Sequence, residues 1–454
     1  MSAEEGLQEA IMAEEEILLT DPVDDEDEDE EEPSVLNNLR KKRLRHRNRA
    51  KIEIFLGEGI TINESAILPS YYGELLTWAV HQYLEREGWN ITATLGYHDP
   101  VPVFINVETG SEVKNVLKDG QMFVIGGDNR IIITVDINPG WRGAVTIEGP
   151  ATIKSTIEKS IASILAIVKT ENFYRGNKIE YSGRIRFLDI KDRSWDSIVL
   201  DSDIKAEIKA NTVSFLKRSK QWIEYGIPRK RGVLLAGDPG TGKTVVCKAL
   251  MAEAEGVTCI NTNAYALDSD EYITDLYELA QDLSPSIVFI EDIDLIGQNR
   301  MEFGYLRGPS LLSLLSVMDG IEGHDEIVTV ATSNCLETLD KALSERPSRF
   351  DRVIRFTRPS MEQRRDLVRS LCGRIPLNET IQNYIAVKAE NCTPAQLQEM
   401  VYSLVIQCHE ISTINKSDID KAASRINGYN RCQLGFNSNG NHNGHKPECN
   451  TTIV

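Results

Sequence analysis

Apolar and polar stretches alternate regularly between Ser194 and Phe356. Short apolar runs of strand length are separated by longer segments with helical periodicity, and this alternation predicts a parallel sheet with helices on both faces. Such sheets bind ligands at the carboxyl ends of their strands, so the residues that follow each run are candidates for chemistry. The five runs are Gly232–Ala236, Val257–Asn261, Ser286–Glu291, Ile327–Thr332 and Arg352–Phe356.

The chain on either side of this segment has different patterns. Between Ile52 and Ile190, two helical stretches enclose short alternating runs punctuated by Gly and Asn, which predicts a small α+β domain. Residues 359–427 are helical in pattern and predict a second small domain, made of helices. We therefore predict five parts: a disordered charged tail (1–51), an α+β recognition domain (52–190), an α/β domain (191–357), the helical domain (358–428) and a flexible Asn/Gly-rich tail (429–454).

The formal net charge of −19 over 454 residues is concentrated at the N-terminus. Residues 1–32 hold sixteen Asp and Glu and no Lys or Arg, and a basic block, Arg40–Lys51, follows. Such charge blocks repel themselves and predict disorder. We interpret the basic block as a solvated tail. Two alternatives stay open: the block anchors the chain to nucleic acid, anionic lipid or an acidic partner, or it is an import signal. The folded part of the chain has no net basic charge that would favour nucleic acid.

No apolar run is long enough to span a bilayer, and the eight cysteines are scattered without paired spacing, as is typical of a reducing compartment. We therefore predict no transmembrane segment and a cytoplasmic location. His81 and His98 have no evident metal-ligating partners, so both are interpreted as ordinary surface or core residues. The cysteines and histidines of the C-terminal tail match no standard zinc spacing.

One glycine-rich stretch stands between the first apolar run and a helical segment. It has the pattern G-x-x-x-x-G-K-[ST] of a phosphate-binding loop, in which backbone N–H groups and a helix N-terminus surround phosphate oxygens. The lysine reaches the β- and γ-phosphates, and the hydroxyl of the last residue ligates Mg²⁺. The sequence therefore predicts a nucleoside triphosphate site formed by Gly237, Asp238, Pro239, Gly240, Thr241, Gly242, Lys243 and Thr244.

Further polar residues follow the later apolar runs. Glu291 and Asp292 follow the apolar residues of the segment IVFIEDID (287–294), which predicts carboxylates beside the phosphates, where a Mg²⁺ ligand and a base for hydrolysis are needed. Asn334 ends the next run and is a candidate for orienting the attacking water. Arg346 and Arg349 precede the last run, where an arginine can reach the site of a neighbouring subunit.

These motifs, in this order and spacing, resemble the AAA ATPase family, in particular its FtsH-type and proteasomal members. The resemblance covers about Arg193 to Asn427. It implies a P-loop NTPase fold in which the helical domain (358–428) is a lid, ATP and Mg²⁺ as cofactors, and a ring, most often a hexamer, with ATP at subunit boundaries. It also implies that Thr244 and Glu291 serve Mg²⁺ and that Arg346 and Arg349 act in trans. A local ion pair with Glu345 or Asp351 is the alternative for these arginines.

Two features depart from the family pattern. The acidic pair is Glu291-Asp292, whereas Asp-Glu is usual; the reversed order also occurs in the Rieske-protein translocase branch. The aromatic-hydrophobic-Gly pore loop is missing, and Tyr265, with Tyr272 behind it, is the nearest candidate. We predict an ATP hydrolase that remodels, unfolds or translocates a protein substrate. The alternatives are an ATP-gated scaffold with slow hydrolysis and, less favoured, a nucleic-acid-stimulated motor.

Overall fold

The computed structural model describes residues 47–137, 142–190, 194–267, 269–296, 311–320, 325–335, 350–408, 411 and 414–433. Within them the chain forms two compact units. The first covers most of the chain up to Thr170, and the second covers the chain from Glu171 onward. Each unit has its own sheet, so each can be described by itself.

The first unit is a six-stranded antiparallel sheet with helices, which confirms the predicted α+β class. The strand order is β1-β6-β5-β4-β2, and β3 pairs with another part of β4. The elements are α1 (47–56), β1 (Thr61–Leu68), α2 (Gly73–Glu87), β2 (Asn90–Leu95), β3 (Val103–Glu108), β4 (Val113–Gly126), β5 (Asn129–Asp136), β6 (Gly143–Pro150) and α3 (Lys154–Thr170).

Helix α1 corrects the predicted boundary of the charged tail. Residues 47–51 belong to a helix, although the basic block predicted disorder there. The helix forms because Phe55 is buried against Phe123 of β4, with the two rings edge to face at 5.1 Å, and Ile52 joins the same cluster. Burying these side chains supplies the free energy that an isolated short helix lacks.

The second unit contains a seven-stranded sheet in the order β13-β9-β12-β11-β10-β7-β8, and every pair but β7–β8 is parallel. The predicted parallel sheet flanked by helices is thus confirmed. The elements before the lid are β7 (Lys178–Tyr181), β8 (Ile185–Phe187), α4 (Ser202–Asn211), α5 (Val213–Lys217), α6 (Ser219–Glu224), β9 (Lys230–Gly237), α7 (Lys243–Glu253), β10 (Thr258–Asn263), α8 (Asp270–Asp282), β11 (Ser286–Glu291), α9 (Leu311–Gly320), β12 (Ile327–Ser333) and β13 (Arg352–Phe356).

Strands β7 and β8 correct the predicted domain boundary at residue 190. They lie in the parallel sheet, where β7 pairs with β10 so that Lys178 is opposite Cys259. Lys178 also donates from Nζ to the carbonyl oxygen of Val257 at 2.7 Å. Two strands of four and three residues are too short for their pattern to reveal which sheet they join.

The lid consists of α10 (Met361–Leu371), α11 (Glu379–Lys388), α12 (Pro394–Gln407) and α13 (Lys416–Gln433) around an apolar core. Thr393 caps α12 by a reciprocal capping box with Gln396, and Pro394 occupies the first turn, so this helix start is well defined. Helix α13 ends at Gln433, five residues beyond the predicted end of the lid at 428. Asn427 and Gly428 are poor helix formers, but they do not end it.

Candidate nucleotide-binding site

The phosphate-binding loop lies between β9 and α7, at the carboxyl edge of the parallel sheet, as the sequence predicts. Gly242 has φ 101° and precedes the first turn of α7, a conformation that favours glycine. A Cβ at Gly237 would lie 2.3 Å from the carbonyl oxygen of Phe356, so the close approach of β13 also requires glycine. The backbone is therefore free to turn its N–H groups toward a bound anion.

Lys243 is 5% exposed and its ammonium group is fully engaged within the loop. It donates to the carbonyl oxygens of Gly237 at 2.6 Å and Asp238 at 3.1 Å, and to Oδ1 of Asn334 at 2.8 Å. Burial lowers the pKa of Lys243, and the carboxylates of Asp292, Asp294 and Asp238 oppose this shift. The side chain is thus held in place by neutral oxygens that phosphate oxygens can replace.

The two acidic residues of IVFIEDID take different positions. Glu291 Oε2 accepts a hydrogen bond from the Thr244 hydroxyl at 3.2 Å. Asp292, which follows the end of β11, has left-handed φ and ψ of 55° and 51°, and its Oδ1 accepts from Asn334 Nδ2 at 2.8 Å. A non-glycine residue in this region is uncommon and is often found at functional sites. The reversed pair therefore sends one carboxylate toward Thr244 and the other toward Asn334.

Parallel pairing explains why these groups meet. Strand β12 lies between β9 and β11, so that Ser333 is opposite Ala236 and Ala331 is opposite Ile290. The residues after the strands consequently share one edge, and Asn334 contacts both Lys243 and Asp292 from the middle position.

Sequence reasoning missed Asp294, the last residue of the acidic run. Its side chain is buried, and Oδ1 accepts the backbone N–H of Asn334 at 3.1 Å, which fixes the residue that bridges Lys243 and Asp292. A third carboxylate so close to Glu291 and Asp292 was the available signal. This contact makes Asp294 a candidate for positioning Asn334.

The lid contributes directly to the loop's surroundings. The backbone N–H of Ala395, in the first turn of α12, donates to the carbonyl oxygen of Gly240 at 3.1 Å. Gly240 has φ 78°, and a Cβ there would lie 2.9 Å from the Ala395 Cβ. Arg358 joins the same parts, since it pairs with Asp238 at 3.3 Å and donates to the Asn391 carbonyl oxygen at 2.9 Å. The lid therefore contacts the phosphate-binding loop directly through Ala395 and Arg358.

A cavity of about 450 Å³ opens beside the loop. Its walls come from the loop and α7, from the segment before α4 and from the lid, and they combine polar groups such as Lys243 and Asp292 with apolar side chains such as Ile198 and Leu371. Polar and apolar groups around one cavity suit a nucleotide, whose phosphates and base need different environments.

Two of the candidate residues cannot be placed. Arg346 and Arg349 lie outside the described residues, and so does Glu345, one of their alternative partners. Asp351, the other, accepts the backbone N–H of Gly232 at 2.8 Å. Tyr265 follows β10 and is 66% exposed, and its backbone N–H donates to Asn263 Oδ1 at 3.0 Å.

Comparison with known proteins agrees with this geometry. Residues 233–358 match the family described as "ATPase family associated with various cellular activities (AAA)". The second unit carries an AAA ATPase domain. The matched residues run from β9, just before the phosphate-binding loop, to Arg358. They include the loop itself and the side chains of Glu291, Asp292 and Asn334.

Curated relatives extend the similarity to about half of the chain. The ATP-dependent zinc metalloprotease FtsH of Hahella chejuensis is 30% identical over 254 residues, which are 52% of this chain and 40% of that protein. FtsH of Bacillus subtilis is 32% identical over 241 residues, 50% and 38% of the two chains. The aligned part thus amounts to about two fifths of these relatives' length. No helix among the described residues is both long and apolar enough to cross a membrane.

Proposed function

We propose that this chain binds Mg·ATP at the carboxyl edge of the parallel sheet and hydrolyses it to drive the remodelling of a protein substrate. The observation that carries the proposal is the convergence of Lys243, Thr244, Glu291, Asp292 and Asn334 at one edge. These groups provide the cation, hydroxyl, carboxylates and amide that phosphoryl transfer to water requires. The AAA match and the FtsH-like relatives support the same activity.

The side chains divide the work as follows. Lys243 exchanges the carbonyl oxygens of Gly237 and Asp238 for phosphate oxygens when ATP binds. The Thr244 hydroxyl and the Glu291 carboxylate, 3.2 Å apart, are hard oxygen donors suited to hold Mg²⁺, directly or through water. When bound, Mg²⁺ neutralises charge on the phosphates.

The water is activated on the other side of the site. Asp292 accepts a proton from the attacking water, and Asn334 orients that water through its amide. The Asn334 amide donates to Asp292 Oδ1 in the structure, and Asn334 exchanges this bond for one to the water when it orients the water. The site thus switches from internal hydrogen bonds to bonds with its substrate.

We further propose a ring, most simply a hexamer, in which Arg346 and Arg349 complete the site of a neighbouring subunit. A cationic group from another copy stabilises negative charge on the transferring phosphoryl group only after assembly. The exposed ring of Tyr265 after β10 is the candidate contact for a polypeptide substrate. The first unit recruits that substrate, and the cytoplasm is the expected location.

An ATP-gated scaffold with slow hydrolysis is the second candidate. It is favoured by the internal bonds of Asn334 to both Lys243 and Asp292, which hold the catalytic groups together before nucleotide binds. The nucleic-acid-stimulated motor stays the least favoured alternative, because the sequence has no net basic balance that favours nucleic acid.

Replacing Asp292 by Asn separates these candidates. The variant keeps the size of the side chain but loses the base, so we expect ATP binding to persist and phosphate release to fall at least ~100-fold. Size-exclusion chromatography with light scattering should show that ATP assembles the Asp292→Asn variant and that, without hydrolysis, this assembly does not dissociate. Asp282→Asn, at the exposed end of α8, is the matched control.

Three results would count against the proposal. Unchanged phosphate release in Asp292→Asn would remove Asp292 from catalysis. An assembly that does not respond to ATP would remove the trans role of Arg346 and Arg349. A wild-type chain that turns over ATP barely faster than the variant, but assembles with ATP, would favour the scaffold.

A further inference from the structure

Three side chains with metal-ligating atoms meet in the first unit, far along the sequence from the nucleotide-binding motifs. They are His98, Asp119 and Asp136, and their ligand atoms all lie within 4.8 Å of one another. His98 Nδ1 is 2.6 Å from Asp119 Oδ2 and 3.8 Å from Asp136 Oδ1. The sequence shows no metal-ligating partner for His98, whereas the structure places two carboxylates beside its imidazole.

Strand register brings the two carboxylates together. Asp119 on β4 is directly opposite Asp136 on β5. Like charges at directly opposite positions of an antiparallel pair are destabilising, and the Asp119 side chain is only 9% exposed, which weakens solvent screening. A cation between the two carboxylates offsets this repulsion.

The loop that carries His98 is held in a fixed conformation. It connects β2 to β3 at the point where the partner of β4 changes, since Leu95 of β2 is opposite Gln121 and Val103 of β3 is opposite Asp119. The Gly96 carbonyl oxygen accepts from Asn48 Nδ2 of α1 at 2.7 Å.

A second contact fixes the position of the imidazole itself. The His98 backbone N–H donates to Asp119 Oδ1 at 3.1 Å, so the ring and one carboxylate are locked to each other before any ligand arrives. Preorganised ligands of this kind lower the entropic cost of binding.

We propose that His98 Nδ1, Asp119 and Asp136 form a binding site for a divalent first-row transition-metal ion, with Zn²⁺ and Mn²⁺ as the reference ions. One imidazole nitrogen and two carboxylate oxygens suit these ions, and two carboxylates balance the charge of a divalent cation when the imidazole is neutral. Metal–ligand distances of about 2.1 Å at tetrahedral angles place ligand atoms about 3.4 Å apart, between the two distances that His98 Nδ1 makes.

The metal takes the place of the hydrogen bond between His98 Nδ1 and Asp119 Oδ2. It ties the β2–β3 loop to β4 and β5, and three protein ligands leave at least one position for water or for an oxygen or nitrogen atom of a partner. The site is independent of the proposed ATPase, because none of its residues belongs to the AAA segment.

The test measures metal binding by the full chain without nucleotide. After chelation and desalting, equilibrium dialysis against Zn²⁺ or Mn²⁺ with elemental analysis gives stoichiometry and affinity. We expect His98→Gln and Asp136→Asn each to bind one equivalent less than the wild type at micromolar free metal, or to bind it at least ~10-fold more weakly, since even outer-shell changes cost 10- to 100-fold. Co²⁺ absorption adds a check for nitrogen and oxygen ligation without thiolate.

Asp128→Asn is the matched control, because it removes an exposed carboxylate at the opposite end of the β4–β5 pair. It should bind metal as the wild type does. Circular dichroism and thermal melting of each metal-free chain verify folding, and added metal should raise the melting temperature of the wild type more than that of His98→Gln.

The proposal is overturned if the wild type, the control and His98→Gln bind metal equally, or if the wild type binds none. The cluster would then be a proton-bridged ion pair only. In that case His98→Gln destabilises the first unit to the same extent with and without metal.

Discussion

The two sheets of this protein gather chemical groups in different ways. In the parallel sheet, Lys243, Glu291 and Asn334 lie at or after the carboxyl ends of three strands that are neighbours in the sheet. These ends share one edge, which brings the three side chains together. In the antiparallel sheet, Asp119 and Asp136 lie at a ladder position, and a loop adds His98. The first arrangement depends on strand order alone, whereas the second depends on exact register, because a slip of one residue would turn a side chain to the other face.

The largest effect is expected at the parallel edge. Lys243→Ala removes the cation that reaches the phosphates, and we expect ATP hydrolysis to fall at least ~100-fold with a marked loss of nucleotide affinity. Phosphate release and titration with a fluorescent ATP analogue measure the two effects. Lys248→Ala, on the exposed face of the same helix, is the control. Wild-type turnover in Lys243→Ala would show that the edge does not form the catalytic site.

A smaller effect is expected where the lid meets the loop. Arg358→Ala removes the contacts to Asp238 and to the Asn391 carbonyl oxygen, but the pair is half exposed and contributes ~1 kcal/mol at most. Nucleotide affinity should therefore fall by up to ~5-fold. Arg355→Ala, on the exposed side of β13, is the control and should leave nucleotide affinity unchanged. The difference in nucleotide affinity between Arg358→Ala and Arg355→Ala should shrink at high salt. Equal effects of the two variants would refute a specific link between lid and loop.

The smallest effect concerns pH in the antiparallel unit. His81 Nε2 accepts the backbone N–H of Leu117 in β4 at 3.2 Å, and burial, helped by Lys114, lowers its pKa below 6.5. A lowered pKa means that the unfolded chain binds the proton more readily, so His81 costs no stability above pH 6.5 and reduces stability as pH falls below it.

The corresponding variant is His81→Gln, whose amide oxygen can accept the same N–H. Native-state hydrogen exchange of β4 amides, corrected for intrinsic rates, should lose protection in the wild type between pH 7.5 and 5.5. The variant should lose less over the same range. A steeper loss in His81→Gln would contradict a neutral, buried His81.

The sequence was informative where a function needs neighbouring residues in a fixed pattern. The loop Gly237–Thr244 and the pair Glu291-Asp292 stand out in the sequence because glycine, lysine and carboxylates at this spacing form the pattern of a phosphate-binding loop and its acidic partners. The alternation of strands and helices gave the parallel sheet, since buried parallel strands are continuous apolar runs. The charge pattern of residues 47–51 predicts disorder wrongly, because the buried side chains of Ile52 and Phe55 that follow stabilise a helix there.

The sequence alone thus determined the presence of a phosphate-binding loop, the α/β class of the second unit and the identity of most of its polar groups. Tertiary structure decided that β7 and β8 join that sheet, that Asn334 bridges Lys243 and Asp292, and that His98 meets Asp119 and Asp136. The physical reason is the sequence separation over which the interactions act. Local patterns reflect backbone geometry and burial over a few residues, whereas strand partners and register follow from packing between residues distant in sequence.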